Sequence, residues 1–267
     1  MNYSYTQLSR YLACPRRYRY HYLDGWEEKE IRAAMLFGRA FEQALAAYFL
    51  GRDSAVVLFE EWQAVVRDVM PEYGKGETWD QMLQQGRQLL ERFAQDDRVR
   101  IVQPQQRLQV KVLRRLDAQN DFIGYIDAIG ELDGIMTVLD WKTTTSCYPA
   151  EPAGLLRLDP QLLCYSWLTG IEDVALVVFV RKRIPEIQYL KAKISPVQQQ
   201  EFGALVRHTV QQIEGANFHP HSGIRFPQNQ CVNCTFFGLC LEDRELTDAK
   251  LRRRTGADLG WLDELDY

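Results

Sequence analysis

The sequence has no long apolar run, no secretory leader and no marked excess of one charge. None of its 267 residues lies in an apolar window of about 18 or more, so we expect no membrane-spanning helix and no membrane partner. The N-terminus, MNYSYTQLSRYLACPRR, also lacks the apolar core of a signal peptide. These absences predict a cytoplasmic protein, whose cysteines are free or metal-bound rather than paired in disulfides.

Charge is nearly balanced, with 32 Lys and Arg against 36 Asp and Glu. A protein that binds nucleic acid through bulk charge is therefore excluded, although basic residues cluster near Arg16 and at 181–183 and 252–254. Each cluster alone is typical of a solvated face, so the charge distribution neither supports nor excludes a DNA substrate. The sequence also lacks the G-x-x-x-x-G-K-[ST] phosphate loop, which excludes a nucleotide-driven motor of that type.

Hydrophobic periodicity divides the chain into a helical first part, a strand-rich middle and a cysteine-bearing tail. The predicted helices are 4–24, 33–50, 54–69, 78–95, 159–168 and 196–215. The predicted strands are 107–116, 122–132, 135–143, 174–181 and 187–194, and the chain beyond Gly223 is predicted to be loop-like. This order predicts an α/β fold in which helices flank a mixed sheet. We expect a single domain, 1–267, with a helical N-terminal part at 1–98, a core at 99–216 and a tail at 217–267.

The segment GYIDAIGELDGIMTVLDWKT predicts a hairpin that carries carboxylates. Asp133-Gly134 lies between two alternating runs and is a strong signal for a two-residue turn. With that turn, Asp127 faces Asp140 across the ladder, and Tyr125 faces Lys142. Two facing carboxylates repel unless a cation lies between them, and Mg²⁺ and Mn²⁺ prefer such oxygen ligands. The alternative is a half-exposed acidic hairpin with an Asp–Lys salt bridge.

This hairpin resembles the central motifs of the PD-(D/E)XK nuclease superfamily, in the RecB-like form. Gly124 and Asp127 match its glycine-x-x-aspartate element, and Asp140, Lys142 and Thr143 match its Asp-x-Lys-Thr strand end. The resemblance implies a restriction-endonuclease-like core in which Asp127, Asp140 and the Trp141 carbonyl hold Mg²⁺ or Mn²⁺. It also implies that Lys142 orients or activates the attacking water.

Two further helical motifs extend the resemblance, one of them with a change. Gln161 and Tyr165 match the family's glutamine-x-x-x-tyrosine element, which holds substrate near the site. The family's glycine-x-x-x-histidine element is represented by Gly38 and Glu42, so a glutamate stands where the histidine completes the metal shell. Glutamate is also a ligand for hard cations, but a helix-surface role for Glu42 is almost equally expected.

The six cysteines fall into a candidate ligand set and two others. Cys231, Cys234 and Cys240 form C-x2-C-x5-C, a spacing that predicts metal binding but requires a fourth ligand. Cys14 supplies it only if the ends of the chain meet. RecB-like iron–sulfur nucleases have this arrangement, which implies a 4Fe–4S cluster, and zinc is the alternative. Cys147 and Cys164 are expected to be buried thiols.

Together these motifs predict a metal-dependent DNA exonuclease that acts on single strands or DNA ends. The resemblance implies CRISPR-adaptation or recombination proteins as partners. The tyrosines and arginines of RRYRYHY at 16–22 either contact a single strand or belong to a helix whose tyrosines pack inward. The alternative function is a catalytically weak DNA-binding or adaptor subunit. An iron–sulfur electron carrier is the third interpretation, and it leaves the Asp-x-Lys hairpin unexplained.

Overall fold

The computed structural model describes residues 1–68, 71–101, 108–149, 153–221, 223 and 230–254. Three predicted features therefore lie partly outside the described residues: the helix end at 69, the strand start at 107 and parts of the tail. The chain divides into two compact units. The first contains Met1–Asn2 and Arg32–Ala204, and the second contains Tyr3–Ile31 and Leu205–Tyr267. These bounds differ from the three segments proposed from the sequence.

The helices and strands follow the predicted order closely. The α-helices are α1 (Tyr5–Ala13), α2 (Pro15–Tyr18), α3 (Ala33–Phe49), α4 (Ser54–Asp68), α5 (Trp79–Ala94), α6 (Pro160–Thr169), α7 (Pro196–Glu214), α8 (Phe237–Leu241) and α9 (Arg244–Lys250). The strands are β1 (Asn2–Ser4), β2 (Trp26–Glu28), β3 (Ile31–Arg32), β4 (Pro71–Glu72), β5 (Val99–Arg100), β6 (Val110–Arg115), β7 (Asp121–Ile126), β8 (Ala128–Leu132), β9 (Ile135–Thr144), β10 (Asp173–Val180), β11 (Glu186–Lys193) and β12 (Leu251–Arg253). A π-helix covers Arg19–Leu23, and 3₁₀ helices cover Ala153–Leu158 and Gln230–Asn233.

The first unit is built on a five-stranded mixed sheet with the order β11-β10-β9-β8-β5. Strands β9 and β10 run parallel, and α6 connects them, whereas the other neighbours are antiparallel. Seven of the eight residues of β10 are buried, which is typical of a central strand covered on both faces. The prediction of a mixed sheet within an α/β fold is confirmed.

Helix α3 covers one face of this sheet because its apolar residues recur at helical spacing. Phe37 and Phe41 are fully buried, and the Phe41 ring contacts Phe179 of β10 at 4.8 Å between centroids. Phe49, at the end of the helix, stacks on Trp141 of β9. Gly51 follows with φ +69°, a left-handed conformation that glycine adopts without steric cost. The packing fixes α3 against the strand that carries Asp140.

The β8–β9 hairpin has the predicted register. Leu132 pairs with Ile135 around Asp133 and Gly134, which both have positive φ. The ladder continues to Ala128 and Leu139 and then stops. The chain bends at Asp127, and β7 pairs with β6 instead, so that Tyr125 lies opposite Lys111. The prediction that Tyr125 faces Lys142 was therefore wrong, because 122–132 is two strands joined by a bend.

The second unit combines the first part of the chain with its last part. Pro15 occupies the first turn of α2, so the predicted helix 4–24 is divided there, and the π-helix Arg19–Leu23 continues that segment. The tail is not loop-like where it is described, since it contains α8, α9 and β12. Strand β12 pairs with β2, and Asp243 caps α9 by accepting from Leu246 N. The local capping residue explains a helix that hydrophobic periodicity did not show.

No helix within the described ranges is long and apolar enough to cross a bilayer.

Candidate active site

Asp127 lies at the bend between β7 and β8, where the chain leaves one sheet for the other. Its Oδ2 accepts a hydrogen bond of 2.8 Å from the backbone N–H of Trp141. That bond links the bend to β9 just beyond the last ladder pair. The carboxylate of Asp127 is therefore held beside the strand segment Asp140–Lys142, although the predicted ladder pair of Asp127 with Asp140 is absent because the pairing ends at Ala128 and Leu139.

Asp140 and Lys142 lie two residues apart on β9 and share one face of the strand. Asp140 is fully buried, and its Oδ2 lies 3.1 Å from the Lys142 ammonium. Lys142 keeps 29% of its side chain exposed, so the cation reaches from a buried carboxylate toward the surface. A buried carboxylate is costly without such compensation, and here the lysine supplies part of it.

The glutamine-x-x-x-tyrosine pair on α6 contacts the lysine directly. Lys142 Nζ donates to Gln161 Oε1 at 2.8 Å, and Gln161 Nε2 donates to the Tyr165 hydroxyl at 2.9 Å. The i, i+4 spacing on α6 places both side chains on the same helical face. Asp159 caps this helix by accepting from the N–H groups of Gln161 and Leu162. The predicted residues Asp140, Lys142, Gln161 and Tyr165 thus form one connected network.

Glu42 of α3 lies near Asp127. A cavity of about 260 Å³ is lined by Glu42, Gln43, Ala46, Leu50, Arg52, Leu108, Gln109, Asp127 and Trp141. Burial of the carboxyl raises the pKa of Asp127 well above its usual range, and the neighbouring carboxylates Glu42 and Asp140 raise it further. Lys142 and the N–H of Trp141 oppose this rise. Asp127 therefore lies close enough to both Glu42 and Asp140 for each of them to disfavour its charged form.

The donor set at this site fits a hard divalent cation. Mg²⁺ and Mn²⁺ take carboxylate oxygens as ligands, and a cation beside Asp127 would relieve its repulsion by Glu42 and Asp140. Across the described residues, no three His, Cys, Asp or Glu side chains stand together as a ready-made metal cluster. The carboxylates are neighbours around the cavity and the strand end rather than a closed cage.

The second unit brings the four candidate cysteines into one region. Cys14 precedes α2, Cys231 lies within the 3₁₀ helix Gln230–Asn233, Cys234 directly follows that helix, and Cys240 lies on α8. Burial and the nearby thiols of Cys14 and Cys240 raise the pKa of Cys231. Burial also raises the pKa of Cys234, on which Cys14 and Cys240 act in the same direction. The first and last parts of the chain therefore meet within this unit, but among the described residues no three of these cysteines stand together as a ready-made metal cluster.

The two remaining cysteines differ from each other. Cys164 is fully buried in α6, as expected. Cys147 is exposed, and its Sγ lies 3.5 Å from Lys182 Nζ. The expectation of a buried Cys147 was wrong because β9 ends at Thr144 and the thiol lies in the segment that follows.

The tyrosines of the RRYRYHY segment pack inside the second unit. Tyr18 is buried, with its ring 5.6 Å from Tyr11 and 4.8 Å from Tyr22. The Tyr20 ring stacks on Phe236, and its hydroxyl donates to Leu239 O at 3.3 Å. These contacts favour the inward-packed interpretation for Tyr18 and Tyr20.

Some cavity residues had no signal in the sequence. Gln109 and Arg52 line the same cavity as Asp127, but neither belongs to a motif. The position of Gln109 depends on the pairing of β6 with β7, which becomes visible only once the bend at Asp127 is known. Arg52 follows the end of α3, and its place at the cavity depends on how α3 packs on the sheet.

The fold and the site are those of a nuclease-like α/β protein, in which Asp140 and Lys142 lie together on the β8–β9 hairpin. A profile of the PD-(D/E)XK nuclease superfamily matches residues 2–241. The chain belongs to the PD-(D/E)XK nuclease superfamily. Membership implies a nucleic-acid substrate, and superfamily members typically use a divalent metal.

Two solved structures are similar to this chain. A candidate exonuclease from Eubacterium rectale is 16% identical, with a TM-score of 0.53 and 86% of each chain covered. That likeness shows the fold. The protein SSO0001 is 17% identical, covers 81% of this chain and 88% of its own, and has a TM-score of 0.35, too low to support an argument. No curated protein sequence matches the chain.

Proposed function

We propose that this protein is a divalent-metal-dependent deoxyribonuclease, an exonuclease that hydrolyses phosphodiesters in single-stranded DNA or at DNA ends. The network that joins Asp140, Lys142, Gln161 and Tyr165 is the main support, because it connects the two motifs at hydrogen-bond distance. Asp127, Asp140, Glu42 and the Trp141 carbonyl are the proposed metal ligands. Mg²⁺ or Mn²⁺ bound there lowers the pKa of a coordinated water and neutralises phosphate charge.

Lys142 is the proposed electrostatic and positioning group of the hydrolysis. The water oxygen forms a bond to phosphorus as the bridging P–O bond breaks. The water loses a proton to solvent, and the leaving deoxyribose oxygen takes up a proton from solvent. Negative charge grows on the non-bridging oxygens during this step, and an ammonium fixed nearby stabilises it. Gln161 positions that ammonium, and Tyr165 fixes the amide of Gln161.

The activity is tested with end-labelled single- and double-stranded DNA, and with RNA, in Mn²⁺, Mg²⁺ or EDTA. We expect metal-dependent shortening of single-stranded DNA and of DNA ends. Lys142→Ala is expected to lower the rate by about 10²–10³-fold. Glu131→Gln, on the same hairpin, is the matched control with unchanged rate. Equal rates for Lys142→Ala and the parent chain contradict the assignment.

Cys14, Cys231, Cys234 and Cys240 are the proposed ligands of a 4Fe–4S cluster. The support is that Cys14 and Cys240 lie near enough to Cys231 and Cys234 to raise the pKa of both thiols, and four thiolates suit an iron–sulfur cluster. Anaerobically purified protein is expected to contain about four iron atoms per chain, and Cys234→Ser is expected to lose them. Cys147→Ser, at an exposed thiol, is the control that keeps them. About one zinc per chain instead of iron identifies the zinc alternative.

A second candidate is a catalytically weak DNA-binding or adaptor subunit of a CRISPR-adaptation or recombination complex. The observation that favours it is Glu42 at the position where the family uses histidine. Glu42→His restores the family pattern, so this candidate predicts a large gain of cleavage in that variant. An active parent chain with no gain in Glu42→His excludes it.

A further inference from the structure

The β6–β7 hairpin has one packed face and one open face. Phe122, Gly124 and Ile126 alternate along β7 and are buried. Phe122 contacts Trp167 with ring centroids 5.5 Å apart, and a Cβ on Gly124 would lie 2.2 Å from Leu168 Cδ1. This inner face is therefore filled by α6. Residues at the intervening positions project from the opposite face.

The open face carries a basic and aromatic strip. Lys111 and Tyr125 are direct cross-strand partners, with the ammonium 5.8 Å from the ring centroid. Leu113 pairs with Ile123 one step further along, and Leu113 is 58% exposed. Arg115 continues the strip, with 66% of its side chain exposed and an ion pair to Asp121. The strip therefore combines an aromatic ring, an exposed aliphatic side chain and two cations on one face of the hairpin.

The strip leads into the candidate active site. Gln109 precedes Lys111 on the same face of the chain, and it lines the cavity that Asp127 and Glu42 also line. Tyr125 of β7 precedes Asp127 by two residues, so their Cα atoms lie at most about 7 Å apart. A group held at Tyr125 therefore lies next to the carboxylate site rather than at a remote patch.

We propose that this strip, Lys111, Leu113, Arg115, Ile123 and Tyr125, binds the single-stranded DNA that enters the site. Tyr125 stacks on a base, and Lys111 contacts a phosphate. Single-stranded nucleic acid offers both groups at once, flat apolar bases and a negative backbone, whereas an apolar protein partner does not need the cations. The inference rests on the proposed nuclease function and deepens it by naming the surface that selects the substrate.

The test measures binding without hydrolysis. A fluorescein-labelled oligothymidylate of about 12 nucleotides, within the range of site sizes for single-strand binding surfaces, is titrated by anisotropy in EDTA. Tyr125→Ala is expected to weaken binding by about 5- to 100-fold, the effect of one lost base–aromatic stack. Tyr125→Phe is expected to retain binding. Lys111→Gln is expected to reduce the slope of log Kd against log salt by about 0.7.

Matched control variants show whether the loss of affinity is specific to this strip or follows from removing any exposed aromatic ring or cation. Phe59→Ala removes an aromatic ring of similar exposure on α4, 41% against 37% for Tyr125, and is expected to bind as the parent chain does. Arg87→Gln removes an exposed cation on α5 and should also leave binding unchanged. Thermal unfolding checks that every variant is folded. Quenching of a 2-aminopurine base in the oligonucleotide, lost in Tyr125→Ala, reports the stack itself.

The outcomes distinguish the proposal that the strip binds DNA from the proposal that the protein is a nuclease. If Tyr125→Ala binds the oligonucleotide as tightly as the parent chain, or if Phe59→Ala loses as much affinity, the proposal that the strip binds DNA is contradicted. This holds even if the chain cleaves DNA. Binding that requires duplex or RNA overturns the assignment to single-stranded DNA. Binding that depends on Tyr125 in a chain that never cleaves supports the strip and contradicts the hydrolytic function.

Discussion

The Lys142 ammonium donates to Gln161 Oε1 at 2.8 Å, which joins the end of strand β9 to the first turn of α6 across 19 positions of sequence. The amide of Gln161 is oriented by its second hydrogen bond, to the Tyr165 hydroxyl. Lys142 is thereby held 3.1 Å from Asp140 rather than free to rotate. The Gln-x-x-x-Tyr element is thus part of the site's internal scaffold.

Gln161→Ala tests whether the glutamine acts through the lysine. A hydrogen bond to a charged group contributes about 1.5–3 kcal/mol, so we expect cleavage to fall by about 10- to 100-fold. In a Lys142→Ala background the same change should add little, because the group that it positions is gone. Cleavage rates of the two single variants and the double variant measure this. Additive losses contradict a positioning role.

The two glycines of the family motifs are expected to respond differently to alanine. A Cβ at Gly124 would lie 2.2 Å from Leu168 Cδ1, whereas one at Gly38 meets Thr143 Oγ1 at an ordinary 3.5 Å. Gly124→Ala should therefore lower the free energy of unfolding by about 1–3 kcal/mol, as overpacking does. Gly38→Ala, within α3, should be neutral or stabilising because alanine favours helix. Urea denaturation compares them, and equal effects would contradict the packing at α6.

The ion pair between Arg181 and Glu77 is expected to support the fold. Arg181 has 1% of its side chain exposed, and its guanidinium lies 2.9 Å from Glu77 and 5.0 Å from the Phe37 ring centroid. Glu77→Ala leaves this buried cation without its carboxylate, so we expect a loss of about 2–4 kcal/mol in unfolding free energy. Lys75→Ala, exposed on the same segment, is the control. A Glu77→Ala protein as stable as that control contradicts the burial of the pair.

Acid should weaken the hairpin turn through Asp133. Hydrogen bonds from Arg98 and Lys191 hold the pKa of Asp133 well below its ordinary value. The ionised carboxylate therefore stabilises the folded state fully above the pKa of the unfolded chain, about 4. This stabilisation is lost progressively as the pH falls from there toward the lower pKa of the folded state. Asp133→Asn tolerates the positive φ of 52° and removes this dependence. The urea midpoint of the parent chain should fall more steeply than that of the variant between about pH 5 and pH 3. Parallel curves would exclude Asp133 as a source of acid sensitivity.

The register of the β8–β9 hairpin was predictable because local chemistry determines it. Asp133 and Gly134 favour positive φ, and a two-residue turn then fixes every later pair up to Ala128 and Leu139. Helix α6 was predictable for the same reason, since Asp159 and Pro160 are local start signals. Such features need only neighbouring residues.

The predictions that were wrong concern features that depend on contacts between residues far apart in the sequence. The bend at Asp127 exists because β7 pairs with β6, and period-two alternation continues through 122–132 without marking it. Tyr125 was therefore placed opposite Lys142 instead of Lys111. The choice between inward packing and DNA contact for Tyr18 was left open for the same reason, since its packing depends on Tyr11 and on the distant Phe218. Periodicity alone does not contain these contacts.

The central claim is that the buried carboxylate of Asp140 is part of a metal-dependent hydrolytic site. Single-turnover cleavage of end-labelled single-stranded DNA by the parent chain and by Asp140→Asn tests it most directly. We predict cleavage by the parent chain in Mn²⁺ or Mg²⁺, none in EDTA, and a rate lower by about 10³-fold or more in a folded Asp140→Asn variant. Cleavage that persists in EDTA, or at the same rate in Asp140→Asn, would contradict the account.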